Sequence, residues 1–86
     1  MTVDPTILER LFAVIKERRR AKPSESYTAS LLAAGSDRIA AKLREETEET
    51  IEAALADDPA ALSAESADLL YHLLVLWAAK IGRAHV

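Results

Sequence analysis

The sequence predicts an all-α chain: a small helical bundle of four main helices forming a single domain over residues 1–86. Three observations carry that expectation. Residues that favour helix (Ala, Leu, Glu, Arg) dominate, while Gly 2 and Pro 3 are few. Apolar residues recur at helical spacing in successive segments, and strand signals are absent. The Pro, Gly and Ser residues fall mostly between those segments, where helices start and stop. A chain this short buries only roughly 60 to 65 per cent of the surface its unfolded form exposes, so dimerisation with a second copy is expected to complete the core.

Asp4 followed by Pro5 reads as an N-cap with proline at the first helical position, and Ile7, Leu8, Leu11, Phe12 and Ile15 then share one face up to about Arg20. The end of this helix is the basic run Lys16 to Lys22, whose cations suit the negative end of the helix dipole. The same run, through Arg18, Arg19 or Arg20, could serve one small anion such as a phosphate. Ser24 or Ser26 caps a short helix through Tyr27, Leu31 and Leu32, which stops at Gly35, and Ser36 opens the next.

In that third helix Ile39, Leu43, Glu46, Thr50 and Ala53 lie on one stripe, so the apolar face runs straight through a glutamate. Glu48 and Glu52 point elsewhere and read as solvated charges. Lys42 stands within reach of Glu45 and Glu46. Asp57, Asp58 and Pro59 repeat the cap logic of the first helix and begin the longest one, which runs to Ile81 with Gly82 as its stop. From Leu69 onward it is apolar on nearly every face, as expected of a central or dimer-forming helix buried on several sides. His72 within it reads as a hydrogen-bonded core histidine, Tyr71 as a residue satisfying its hydroxyl at the bundle edge, and His85 as part of a disordered chain end.

The chemistry lies in the acidic residues. Glu46 and Glu49 are roughly 60° apart on one helix face, and Glu65 and Asp68 repeat that i, i+3 spacing on the next helix. Carboxylates turned into a bundle interior are strongly disfavoured unless neutralised, and a bound divalent cation resolves the conflict. With no cysteine any metal must sit on oxygen or imidazole, which favours a hard cation such as Mg²⁺. The net charge of −3 argues against general nucleic-acid binding. The longest apolar run, Leu73 to Ala79, falls far below the ~18 residues of a membrane span, and a cytoplasmic protein is expected. No nucleophile–base arrangement and no Gly-rich phosphate loop stands out, so covalent catalysis is not expected.

Glu45-Glu46-Thr47-Glu48-Glu49, then fifteen residues, then Glu65-Ser66-Ala67-Asp68, is similar to the EExxE and ExxD pattern of the MazG-like all-α NTP pyrophosphatases. More narrowly, Ser26-Tyr27-Thr28 with Leu31 and Gly35, then Ile39 and Lys42, then Ala67 through Val75, resembles the phosphoribosyl-ATP pyrophosphatases of histidine biosynthesis. The likeness covers nearly the whole chain. It implies Mg²⁺-dependent hydrolysis of 1-(5-phosphoribosyl)-ATP to 1-(5-phosphoribosyl)-AMP and pyrophosphate, usually in a homodimer. On this resemblance Glu46, Glu49, Glu65 and Asp68 are the metal ligands, and Glu45, Glu46 and Glu49 make up the catalytic set. Glu45 orients or deprotonates the attacking water, its face offset by about 100° from Glu46. Lys42, one of Arg18, Arg19 and Arg20, and Tyr71 are the candidates for substrate contact. The family usually continues beyond Gly82 with a short helical segment ending in basic residues, whereas this sequence stops at Val86. A trimmed C-terminus weakens substrate binding if that tail contributes. Two other readings stand beside this one: a housecleaning pyrophosphatase of noncanonical nucleoside triphosphates, using the same carboxylates, and a non-catalytic helical dimerisation module with a solvated acidic helix.

Overall fold

A computed structural model describes residues 6–81 as four helices: α1 (Thr6–Arg18), α2 (Tyr27–Ala34), α3 (Ser36–Leu55) and α4 (Pro59–Lys80). The expected cap at Asp4 and Pro5, the stop at Gly82 and the disorder at His85 lie outside the described residues. The most extensive packing is between α3 and α4, with α1 and α2 laid against that pair.

Short-range chemistry sets the ends of the helices. Ser26 has extended backbone angles and its Oγ accepts a hydrogen bond from the Ala29 amide at 3.2 Å, so it, and not Ser24, caps α2. Asp58 does the same for α4, accepting from the Ala61 amide at 3.1 Å with Pro59 next in line. Between α3 and α4 the Asp57 amide donates to the Ala54 carbonyl and the Asp58 amide to the Ala53 carbonyl, both at 3.2 Å. Those are the two bonds of a Schellman closure, and Asp57 supplies its left-handed residue at φ 55°. The reversal is tight enough to fold α4 back along α3 as a helical hairpin.

One boundary differs from expectation, and another is met without the side chain. α1 ends at Arg18, because the amides of Arg19, Arg20 and Ala21 bond three residues back, to Lys16, Glu17 and Arg18, and tighten the chain out of the α-helix. Ser36 is the first residue of α3 but caps nothing with its side chain. Gly35 takes the cap position, ending α2 through its amide on the Leu31 carbonyl and starting α3 through its own carbonyl, bonded by the Ile39 amide.

The apolar core joins Ile15 of α1, Leu31 of α2, Ile39 of α3 and Leu74, Val75 and Ala78 of α4. One residue from each outer helix meets three from α4, which makes α4 the central element, as its sequence suggests. It is not covered all round, however. Leu70, Trp77 and Ile81 form a stripe that remains 43 to 54 per cent exposed, although Trp77 packs edge-on to Phe12 of α1 at 6.2 Å. The core occupies the start of α3 and the end of α4. Glu46 lies seven residues beyond Ile39, about 10 Å further along the hairpin.

Gly35 gives a direct test of this hinge between α2 and α3. At φ 97° and ψ 172° it occupies a region open essentially only to glycine, yet a Cβ placed there would meet nothing within 4 Å. Gly35→Ala is therefore expected to lose about 1–3 kcal/mol from backbone strain alone. Urea unfolding of the two proteins measures it, and equal midpoints would contradict the strain.

Candidate functional site

Glu46 is only 6 per cent exposed, as deeply set in the α3–α4 interface as its apolar stripe implies. Glu49 follows one turn later on α3, and Glu65 comes across from the first half of α4. One carboxylate oxygen from each lies within 4.8 Å of the other two. Oε2 of Glu46 and Oε2 of Glu65 are shielded from water and have no hydrogen-bond partner among the described residues. Such orphaned acceptors are costly, because these two oxygens have given up water without gaining a hydrogen bond.

The electrostatics follow from that crowding. The Glu65 pKa is pushed up to about 7, first by a hydrogen bond shared with Glu49, which needs a proton on one of the two, then by desolvation and the charges of Glu49, Glu46 and Asp68. Glu46 is raised chiefly by burial, then by Glu49 and Asp68, with His72 acting in the opposite direction. On the outer side Lys42 Nζ lies 3.7 Å from Glu46 Oε1 and 3.5 Å from Glu45 Oε2, the helix ion pairs expected from the spacing. Burial alone would lower the Lys42 pKa, but the charges of Tyr27, Glu45 and Glu46 and the bond to Glu45 hold it raised. Glu46 thus has one oxygen facing a cation and the other buried with no hydrogen-bond partner among the described residues.

The four carboxylates expected as ligands are not equivalent. Glu46, Glu49 and Glu65 converge, whereas Asp68 is exposed and its oxygens stand outside that group, close enough to act on it through charge. Glu45 is exposed beside Lys42, and Glu48 and Glu52 are solvated as expected. Tyr71 bonds Thr28 through its hydroxyl, and burial raises its pKa. The basic run stands elsewhere: Arg19 donates to the Ala78 carbonyl and borders a cavity of about 330 Å³ lined mainly by Ala21, Pro23, Leu32 and Ala79. Ala78 is ten residues beyond Asp68 on the same helix, about 15 Å away.

The sequence reading missed a pairing between the start of α2 and the middle of α4. The Tyr27 hydroxyl meets His72 Nε2 at 3.0 Å, next to the Thr28–Tyr71 bond, and His72 Nδ1 lies 2.7 Å from the Asp68 carbonyl. The expected hydrogen-bonded core histidine is found, but its partner lies 45 residues away and no local signal points to it.

The sequence model of the phosphoribosyl-ATP pyrophosphohydrolase family matches residues 8–80, which takes in every residue of the carboxylate group. The chain belongs to this family. Among members named phosphoribosyl-ATP pyrophosphatase, that of Paramagnetospirillum magneticum is 53% identical over 78 residues, covering 91% of this chain and 72% of that protein. The protein so named from Azospirillum brasilense is 49% identical over 76 residues, covering 88% and 68%, and that from Haloquadratum walsbyi is 52% identical over 75 residues, covering 85% and 75%. The family is one of hydrolases, and its all-α character agrees with the four helices and the absence of strands among the described residues.

The carboxylate group predicts a pH dependence. Glu46 and Glu65 are both raised above their usual 4.5, so the folded protein holds protons that the unfolded chain has released. The Glu65 contribution to stability is fully present below about pH 4.5 and is lost as the pH rises through about 7, and that of Glu46 is lost in the same direction. In EDTA the protein is expected to unfold at lower urea at pH 8 than at pH 5, and Glu65→Gln to narrow that difference. An unchanged difference in the variant would remove Glu65 from the coupled group.

Proposed function

We propose that this chain hydrolyses phosphoribosyl-ATP to phosphoribosyl-AMP and pyrophosphate, the second step of histidine biosynthesis, using Mg²⁺ held by the α3–α4 carboxylates. The observation that carries the reading is the convergence of Glu46, Glu49 and Glu65 within 4.8 Å in a member of this family. The donor set suits the ion: all ligands are oxygen, and the two orphaned Oε2 atoms of Glu46 and Glu65 want a positive charge. Glu46, Glu49 and Glu65 would hold it, with Asp68 one turn beyond Glu65 as the fourth ligand. When bound, Mg²⁺ supplies positive charge against the phosphate oxygens as the anhydride breaks.

The protein's own part is to position charges, since splitting a phosphoanhydride is mostly a matter of holding oxygens and a water in line. Glu45, exposed at the edge of the group, orients the water and accepts its proton as the new P–O bond forms. Lys42, next to Glu45 and Glu46, offers its ammonium to a phosphate oxygen. The substrate carries phosphate at both ends, so Arg18, Arg19 or Arg20, about 15 Å along α4 from Asp68, is proposed for the phosphoribosyl end. Tyr71 borders the path between them. The proposed setting is the cytoplasm. Among the described residues no helix is long and apolar enough to cross a membrane.

Pyrophosphate release from phosphoribosyl-ATP, compared with a panel of nucleoside triphosphates, is the deciding assay. Phosphoribosyl-ATP is expected to be preferred, and preference for a noncanonical triphosphate would turn the reading to a housecleaning enzyme. In the same assay Glu46→Gln is expected to lose at least about 100-fold, beyond the usual loss for a residue that only supports a ligand, while Glu48→Gln stays near the parent. KM is expected to rise for at least one of Arg18→Ala, Arg19→Ala and Arg20→Ala. Three unchanged values would remove the basic run from the site.

The functional unit is proposed to be a homodimer. Leu70 and Trp77 on α4 and Ile81 just after it, Ile7 and Val14 on α1, and Ile51 and Leu55 on α3 leave large apolar side chains open on a very small protein, with Leu55 81 per cent exposed. Sedimentation equilibrium at micromolar concentration is expected to give twice the chain mass of 9.4 kDa. An active monomer would overturn it.

A further inference from the structure

Two neighbouring residues at the start of α2 grip two neighbouring residues in the middle of α4. Thr28 bonds the Tyr71 hydroxyl, and that contact ends there. The other continues. The Asp68 carbonyl can only accept, so the His72 nitrogen 2.7 Å from it, Nδ1, is the one that carries the proton. In the neutral ring Nε2 is then an acceptor, and the Tyr27 hydroxyl at 3.0 Å donates to it. The result is a directed series, Tyr27 hydroxyl to His72 imidazole to Asp68 carbonyl, from an exposed residue through a ring only 4 per cent exposed to the turn of α4 that bears the carboxylates. Tyr71 stacks on Tyr27 with an interplanar angle of 21° and meets the His72 ring edge-on at 5.1 Å, which keeps the imidazole from turning.

We propose that Tyr27 is a positioning residue for the metal-binding face of α4: acting through His72, its hydroxyl fixes the turn from which Glu65 and Asp68 project. The inference rests on the Mg²⁺ reading above and goes beyond it. Asp68 shows why such a device matters. Its carboxylate stands outside the group formed by Glu46, Glu49 and Glu65, and only its backbone is held by His72. With the carbonyl anchored, a change of side-chain rotamer brings the carboxylate toward the group without moving the helix. With the anchor released, the helix still orders the turn but nothing ties it through His72 to α2, so it is held less firmly when the ion binds and the affinity falls. This is the way a group behind a ligand tunes a metal site without touching the metal.

The rival account is that Tyr27 merely docks α2 on α4, which Thr28 does as well. The test therefore compares Tyr27→Phe with Thr28→Val. Each removes one hydroxyl and keeps the bulk of the side chain, but only Tyr27 leads to Asp68. Both variants are expected to melt at lower temperature than the parent in EDTA. Thermal melts across a Mg²⁺ titration, with no substrate present, then separate them. For Tyr27→Phe the Mg²⁺ concentration giving half the maximal stabilisation is expected to rise about 10-fold, within the range for residues behind a ligand, and for Thr28→Val to stay at the parent value. With phosphoribosyl-ATP, saturating Mg²⁺ is expected to restore the kcat of Tyr27→Phe. An unchanged half-saturation in Tyr27→Phe, or an equal rise in Thr28→Val, overturns the positioning role. If the parent itself gains nothing from Mg²⁺, the metal reading fails and takes this inference with it.

Discussion

Three carboxylates pressed together between two helices are the constraint on which the rest of this structure depends. Glu46, Glu49 and Glu65 each place an oxygen within 4.8 Å of the others, Glu46 and Glu65 each have an oxygen with no hydrogen-bond partner among the described residues, and Glu46 is nearly without water. Left to itself, such a group pushes α3 and α4 apart or takes up protons. The hairpin must be held by something other than its middle. Its closure at Ala56 to Asp58 does part of this, with the Schellman bonds and the Asp58 cap fixing one end. At the other end Ile39 of α3 packs with Leu74, Val75 and Ala78 of α4, sealed by Ile15 and Leu31 from the outer helices.

This separation of functions along one hairpin accounts for the placement of α1 and α2. Both contribute to the apolar end, and neither contributes a carboxylate to the group. α2 reaches toward it indirectly, since its first two residues bond His72 and Tyr71, and His72 bonds back one turn to Asp68. α1 ends in a basic turn whose Arg19 covers the Ala78 carbonyl near the end of α4. Positive charge thus lies at one end of α4 and negative charge in its first half.

Family membership and geometry bear on different questions. The match over residues 8–80 and identities near one half assign the chain to the phosphoribosyl-ATP pyrophosphohydrolases. They say nothing of why Glu46 is tolerated in an apolar stripe or why Asp68 stands off. Those follow from side-chain environment: Glu46 has Lys42 on one oxygen and no partner among the described residues on the other, while Asp68 is exposed to water.

The amino-acid sequence by itself determined whatever depends on neighbours a few residues apart. The four helices, the Asp58–Pro59 start of α4, the ion pairs of Lys42 and the presence of Glu46 on a buried stripe all follow from helical period and capping chemistry. Ser36 opens α3 as its place in the sequence suggests, while Gly35 takes the cap position of both helices, an arrangement visible only once α2 and α3 are known to abut. The tertiary structure alone decided which carboxylates meet. Glu65 and Asp68 share a helix face at i, i+3, yet one turns into α3 and the other toward solvent, because the way two helices cross determines which part of a face is covered. The same holds for Tyr27 on His72, Thr28 on Tyr71 and Arg19 on Ala78, contacts between residues 43 to 59 positions apart. Such pairs leave no periodic trace in a single chain, since each residue's local preference is the same whether or not its distant partner is there.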